Sequence, residues 1–259
     1  MVGALDTAKD RGRDVVVRGT AAARGAVDRA RGAATRARDL TIQTVRTLAE
    51  SAGPELQQSL MRLRKVRKPS DAVDAFQQEV EHLLRVLAPV LVENPVPIRD
   101  PRVARAVVAT LAAGAATAEE AEELTLLVSS GATAPGVPSV VALAFLSLAA
   151  EVHVAVSLRV HALEDAGLPV DPERVAHDVA AAMVGSKQLG GRMVITKAMV
   201  KKVTERVLRR WGTGLVPVIG IVYSAWDSQA TIAAISSMPL TPPDPPELPA
   251  GETTPALSP

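Results

Sequence analysis

The chain contains no cysteine, and only 2% of its 259 residues are aromatic. The absence of cysteine excludes disulfides, thiolate metal sites and cysteine nucleophiles. The scarcity of aromatic side chains excludes the base-stacking platforms that bind single-stranded nucleic acid. Because the chain has four histidines and no paired-ligand motif, we do not expect a metalloenzyme. Hydrophobic residues still make up 47% of the chain, so its core has to be built from Ala, Val, Leu and Ile.

The net charge of +1 conceals a strong asymmetry along the chain. Residues 1–68 have a net charge of +8, residues 69–184 of −10 and residues 185–259 of +3. Either the basic ends attract the acidic middle, or they face an anionic lipid surface. A nucleic-acid partner is not expected, because acidic residues are interleaved with the N-terminal arginines. No apolar secretory segment is present near the N-terminus, so we predict a cytoplasmic protein.

No alternating strand pattern occurs, and the periodicity predicts an all-α multi-helix bundle. Residues 3–50 are typical of one long, weakly amphipathic helix, in which each glycine costs about 1 kcal/mol relative to alanine. We expect Pro54 to start a shorter second segment and Pro69 to end it. Residues 1–68 are therefore predicted to form a basic amphipathic helical arm that folds on a surface; a disordered basic arm is the alternative.

Residues 69–238 are predicted to form one helical domain. Its clearest helix spans residues 71–92, where apolar residues recur at steps of three and four. Asp71 is the expected N-cap of this helix. Pro89 should kink or end it, since proline cannot donate the helical hydrogen bond.

Two later helices begin with the same signal, Asp100-Pro101 and Asp171-Pro172, in which aspartate caps and proline occupies the first helical position. The apolar residues from 139 onward are too few to span a bilayer before charges resume. We therefore predict a buried core helix that continues to Ala166, with Gly167 as its C-cap. Residues 239–259 are predicted to be a disordered, proline-rich tail.

Residues 186–210 are predicted to form a basic helix, followed by a small-residue helical hairpin over residues 211–237. Cations and aromatic side chains beside an apolar segment suit a bilayer interface. The alternatives are pairing with the acidic middle and a tightly packed soluble hairpin. The candidate membrane contacts are Lys187, Lys197, Lys201, Lys202, Arg206, Arg209, Arg210, Trp211 and Trp226. The residues expected to pack within the hairpin are Pro217, Gly220, Ser224 and Ser228. Pro217 bends the entry, and the three small residues, at steps of four, let two helices approach closely.

His153, Ser157 and His161 lie on one helical face, at steps of four residues. The two histidines are two turns, about 12 Å, apart, which is too far for one metal ion. A serine–histidine pair could in principle act as a nucleophile and base. No nucleophile elbow or oxyanion loop accompanies it, so we predict a polar stripe between packed helices rather than a catalytic site.

Two stretches of the C-terminal sequence carry a family pattern. Residues 215–237 contain the run Pro217, Val218, Ile219 and Gly220, and an upstream stretch contains Gly167, Asp171, Pro172 and Arg174. Through these residues the chain resembles the bacterial EcsC family over residues 70–238. It differs from that family at Ser224, where a second glycine is usual, at Asp227, where an asparagine is usual, and at Ala166, where a tyrosine is usual. The resemblance implies a helical, membrane-associated cytoplasmic protein, some relatives of which are encoded near an ABC transporter. It carries over no catalytic residue.

We therefore expect a non-enzymatic cytoplasmic protein, peripheral to the inner membrane surface, that supports a membrane transport or secretion system. Its expected partners are an anionic membrane surface and either a membrane transporter or a second copy of the chain. No cofactor, nucleic acid or small-molecule substrate is expected. The alternative function is a soluble interaction module or homo-oligomer with no membrane role.

Overall fold

The computed structural model describes residues 2–66, 69–114, 137–185, 194–212 and 228–240, and side chains are described in only part of these helices. Every regular element within these ranges is helical, which confirms the all-α class. The helices are α1 (Val2–Arg64), α2 (Pro69–His82), a π-helical turn (Leu83–Leu87), α3 (Ala88–Val92), α4 (Pro101–Gly114), α5 (Val137–Asp165), α6 (Pro172–Met183), α7 (Lys197–Gly212) and α8 (residues 228–236).

Helix α5 is the centre of the bundle and packs against α1, α4, α3 and α6. Its segment Ala144–Asp165 is long and apolar enough to cross a membrane, but 89% of the apolar 18-residue window within it is buried inside the fold. The prediction of a buried core helix in this part of the chain is confirmed. Because other helices cover α5 on several sides, a polar side chain on its buried part has to find its partner within the protein.

Helix α1 continues through Pro54, so the prediction that this proline starts a new segment is wrong. Proline inside a helix removes one hydrogen bond and disfavours the helix by about 3 kcal/mol. Tertiary packing outweighs this penalty, since Ala52 and Leu56 on either side of the proline are fully buried. Burying one leucine side chain contributes about 2 kcal/mol, and Leu60 and Leu63 are buried further along the same face.

The predicted boundary at residue 68 coincides with a break between α1 and α2. Buried residues on both sides of the break nevertheless belong to one core. On the α1 side they extend from Ala37 to Leu63, and α1 packs against α4 and α5. The residues of α1 before Ala37 whose side chains are described are exposed.

The helix does not end at Pro89, because a π-helical turn precedes the proline and α3 continues to Val92. The amide of Ala88 donates to the carbonyl of Leu83, one residue further back than in an α-helix. This wider turn places Pro89 in the first turn of α3, where its missing N–H is not needed. At the other end, α2 begins at Pro69, so Asp71 lies in its first turn and is not the N-cap.

The other predicted helix signals are confirmed. Asp100 accepts a hydrogen bond from the amide of Arg102 at 2.7 Å, and Asp171 caps α6 through the amide of Glu173 at 3.1 Å. Gly167 ends α5 with a φ of 67°. The amide of Leu168 then donates to the carbonyl of Leu163 at 2.9 Å, and this pairing is the Schellman arrangement that glycine permits.

A bidentate ion pair joins the end of α1 to α2. The Arg62 guanidinium donates to both carboxylate oxygens of Glu79, at 2.5 and 2.8 Å. Glu79 is 4% exposed, and burial alone would raise the pKa of its carboxyl group. Hydrogen bonds from Arg62 and Ser59, together with the positive charge of Arg62, reverse this effect and hold the pKa of Glu79 below its usual value.

We expect acid to weaken the fold partly through Glu79. Because folding lowers its pKa, its contribution to the free energy of unfolding is complete above the unfolded-state pKa and is lost as the pH falls through the folded-state pKa. The free energy of unfolding should fall between about pH 6 and about pH 3, and in Glu79→Gln this fall should be smaller by about 1 kcal/mol or less. The difference is small because the side chain of Arg62 is half exposed, so water partly screens the ion pair. Urea unfolding at both pH values measures this difference. Glu55→Gln, an exposed site on α1, is the control, and equal effects of the two variants would contradict the assignment.

Candidate functional site

The candidate site is the exposed face of α7. Thr196 caps this helix, and its hydroxyl oxygen accepts from the amide of Met199 at 3.2 Å. Residues 194–196 are not helical, so the predicted continuous helix over residues 186–210 is wrong at this point. Three consecutive β-branched residues, Val194, Ile195 and Thr196, favour extended backbone here. The carbonyl of Ile195 also accepts from Arg85 at 2.7 Å, which fixes the entry to α7 on the π-helical turn.

Helix α7 has one apolar and one cationic side. Val200, Val203 and Val207 are at most 1% exposed and face the core. The opposite side carries most of the predicted contacts: Lys197, Lys201, Lys202 and Arg209 are exposed, and Arg206 is half-buried. The spacing of valines and cations therefore divides α7 into a core-facing side and an exposed basic side.

The cations of α7 differ in their surroundings. Lys201 lies 3.9 Å from the carboxylate of Glu205 on the same helix. The guanidinium of Arg206 donates to the carbonyl of Met183 at the end of α6. Neither Lys197 nor Lys202 has a carboxylate within 4.0 Å in the described part of the chain. These two lysines can therefore approach an anionic surface without first losing an ion pair to a described residue.

A cleft of about 490 Å³ lies beside this face. Its cationic wall is formed by Lys202, Arg206 and Arg209 of α7, and Glu205 also borders it. The end of α6 closes one side, and Ala230 and Ala234 of α8 form an apolar wall. We call this space the α7 cleft; its size falls within the range of ordinary ligand sites.

The remaining predicted contacts fall largely outside the described residues. Arg210 and Trp211 belong to the last turn of α7, but their side chains are not among those described. Lys187, Pro217, Gly220, Ser224 and Trp226 lie outside the described residues. Ser228 is described and is 3% exposed. Its hydroxyl donates to the Glu151 carboxylate on α5 at 2.9 Å, so it anchors α8 to the central helix.

The stripe of His153, Ser157 and His161 holds the turn between α3 and α4. Ser157 accepts from the amide of Val96 at 3.0 Å and donates to the carbonyl of His153 at 2.8 Å. His161 Nε2 lies 2.9 Å from the Val96 carbonyl, and His153 Nε2 lies 2.9 Å from that of Asn94. Burial lowers the pKa of His153, although the hydrogen bond of its ring with the backbone carbonyl of Asn94 raises it. These contacts give all three side chains structural partners.

Sequence reasoning missed the buried charges of α5. Arg159, 2% exposed, forms an ion pair with Asp178 of α6 at 2.7 Å. It also donates to the carbonyls of Met238 and Pro239 after α8, at 3.3 and 3.0 Å. Pro239 belongs to the segment predicted to be a disordered tail, and residues 241–259 of that segment lie outside the described residues.

Glu151 provides the second attachment of α8. Its carboxylate accepts from the hydroxyls of Ser228 and Thr231, both at 2.9 Å. A signal was present in the sequence, because Glu151 and Arg159 are isolated charges inside the apolar stretch that we predicted to be buried. Buried charges need partners. Here several of those partners belong to α8 or follow it, so Glu151 and Arg159 hold the helix that forms the apolar wall of the α7 cleft.

Within the described residues, no three His, Asp or Glu side chains are close enough together to hold a metal ion. No protein-family model, curated protein or solved structure matches this chain. The resemblance to the EcsC family, and what that resemblance implies, therefore stay predictions.

Proposed function

We propose that this chain is a non-enzymatic, EcsC-like cytoplasmic protein that binds peripherally to the inner face of a bacterial membrane. The face of α7 would make the main contact, together with the predicted hairpin over residues 211–237. The N-terminal part of α1 would add a weaker second contact. Two modest attachments are together sufficient for stable anchoring, and a membrane transport or secretion system is the process that we expect this anchoring to serve.

The observation that carries the proposal is the division of α7 into a buried valine stripe and an exposed row of cations. Packing of Val200, Val203 and Val207 into the core fixes the rotation of the helix. Lys197, Lys201, Lys202 and Arg209 are therefore held on one exposed surface by the fold itself. Each basic residue close to an anionic lipid surface contributes about 1 kcal/mol.

The buried polar residues of α5 support a role without catalysis. His153, Ser157 and His161 bind the turn after α3, while Glu151 and Arg159 bind α8 and the two residues beyond its end. Each of these side chains is engaged in holding one part of the bundle to another. The packing contacts of His153, Ser157 and His161, the residues that a serine–histidine mechanism would need, support this part of the proposal.

A second candidate is a soluble interaction module, in which basic segments pair with acidic ones. The ion pair between Arg62 and Glu79 favours it, because it joins the basic N-terminal part of the chain to the acidic middle. The same pairing between separate copies would give a homo-oligomer. This candidate predicts a chain that is indifferent to lipid.

Removing charge from α7 should weaken membrane binding. The full chain is mixed with phosphatidylcholine vesicles that contain or lack phosphatidylserine, and bound protein is measured by co-sedimentation at low and high salt. Lys197→Gln/Lys202→Gln should weaken binding to the anionic vesicles by roughly 30-fold, corresponding to about 2 kcal/mol. High salt should weaken binding of the wild-type chain as well.

The matched control is Arg102→Gln/Arg105→Gln, which removes the same charge from exposed positions on α4. It should weaken binding much less if α7 faces the membrane. Equal losses for the two double variants would show that net charge alone is responsible. No binding of the wild-type chain to any vesicle would reject the membrane function and favour the interaction module.

A further inference from the structure

We infer that the α7 cleft binds the phosphate monoester headgroup of a single amphiphile, with the phosphoryl group on the cations of α7 and the apolar part against α8. The inference rests on the proposed membrane function and gives it a chemical specificity. A flat basic surface responds to the total charge of a membrane. A cleft of about 490 Å³ has room for one headgroup and the beginning of its chain.

Among the described residues that line the cleft, cations outnumber carboxylates, and this balance favours a dianion. Lys202, Arg206 and Arg209 all line it, and their spacing of four and three residues places them on one side of α7. Glu205 also borders the cleft, but it lies 3.9 Å from Lys201 and shares its charge with that lysine. Three cations suit a phosphate monoester, which carries close to two negative charges, better than a diester with one.

Arg206 is held in place before any ligand arrives. Its guanidinium donates to the carbonyl of Met183, where α6 ends. This contact fixes the direction of a long, flexible side chain, so less conformational entropy is lost when an anion binds. Arginine is also the side chain whose planar donors match phosphate oxygens best.

The opposite wall explains why the ligand should be an amphiphile. Ala230 and Ala234 lie one turn apart on α8 and present only methyl groups to the cleft. Helix α8 is held against α5 by the hydrogen bonds of Ser228 and Thr231 to Glu151. A rigid apolar wall facing a cationic wall matches a molecule with a charged head and a hydrocarbon chain.

The test uses soluble probes with the full chain. Dihexanoyl phosphatidate, glycerol 3-phosphate and inorganic phosphate are each titrated by calorimetry, with dihexanoyl phosphatidylserine as the diester. We expect saturable one-to-one binding of the short-chain phosphatidate. Glycerol 3-phosphate, inorganic phosphate and the phosphatidylserine should each bind at least tenfold more weakly.

Two variants separate the walls of the cleft. Ala230→Leu places a larger apolar side chain in the cleft without changing its charge, and Arg209→Gln removes one cation. Each should weaken binding of dihexanoyl phosphatidate at least tenfold, whereas Ala106→Leu and Arg105→Gln, at exposed positions on α4, should leave it unchanged. Thermal unfolding verifies that every variant is folded, and Arg209→Gln decides the question if Ala230→Leu does not fold.

The outcomes separate this inference from the membrane function. Equal binding of phosphate and short-chain phosphatidate would overturn the inference that the ligand is an amphiphile, and the cleft would then be an ordinary anion site. If none of the soluble probes binds saturably but the chain binds anionic vesicles, the cleft is not a headgroup site and the membrane function is still supported. Binding of short-chain phosphatidate without any vesicle binding would support the cleft and reject the membrane function.

Discussion

Asp178→Ala should lower the free energy of unfolding by about 3–5 kcal/mol, the range found when a buried ion pair loses one partner. Asp178 is 4% exposed and Arg159 is 2% exposed. The truncation leaves the guanidinium charged and buried on α5, where the remaining main-chain acceptors of Met238 and Pro239 supply dipoles but no countercharge. Urea unfolding followed by circular dichroism measures the loss.

The exposed pair between Arg99 and Asp165 supplies a matched control. It joins the same two residue types and involves the same central helix, but both its partners are about half exposed. Asp165→Ala should therefore lower the free energy of unfolding by less than about 1 kcal/mol. Similar losses for Asp178→Ala and Asp165→Ala would contradict the prediction that burial makes the pair between Arg159 and Asp178 more costly to break.

A double variant separates the cost of an unpaired charge from the value of the pair. Arg159→Met/Asp178→Ala removes both charges and replaces the arginine by an apolar chain of similar length. Replacing a whole buried ion pair with apolar residues is often neutral or stabilising. We expect the double variant to be more stable than Asp178→Ala alone, because no uncompensated charge is left in the core.

Local signals in the sequence predicted several parts of the fold that depend on neighbouring residues, although the predicted N-cap at Asp71 was wrong. The caps at Asp100 and Asp171 and the C-cap at Gly167 formed as predicted, because each depends on a few adjacent amides and carbonyls. The valine stripe and cationic face of α7 were also predictable from residue spacing. Periodicity defines a face without any knowledge of the partner helix.

Signals that depend on distant partners were missed. The course of α1 through Pro54 is decided by the burial of Leu56 against other helices, and intrinsic propensity cannot reveal that burial. The role of Arg159 depends on Asp178, 19 residues later, and on carbonyls near residue 239. The α7 cleft is formed by α6, α7 and α8 together, so no single segment of sequence indicates it.

The remaining large effect concerns the aromatic pair in the core. Phe76 of α2 and Phe145 of α5 are both fully buried, and their rings meet edge to face with centroids 6.4 Å apart. The described core is otherwise built mainly from Ala, Val, Leu and Ile, and the two rings meet where α2 packs on α5. Removing a buried phenylalanine side chain commonly lowers the free energy of unfolding by about 3–5 kcal/mol, because it leaves a cavity and loses apolar burial.

Phe76→Ala should lower the free energy of unfolding by about 3–5 kcal/mol, measured by urea unfolding. Val73→Ala, at a half-exposed position on the same helix, should lower it by less than about 0.5 kcal/mol. A cycle with Phe76→Leu and Phe145→Leu isolates the contact between the rings, for which we expect a coupling of about 1 kcal/mol. Equal effects of Phe76→Ala and Val73→Ala would contradict this packing of α2 on α5. A large loss from Phe76→Ala with no coupling between the rings would instead mean that Phe76 stabilises the core through its volume alone.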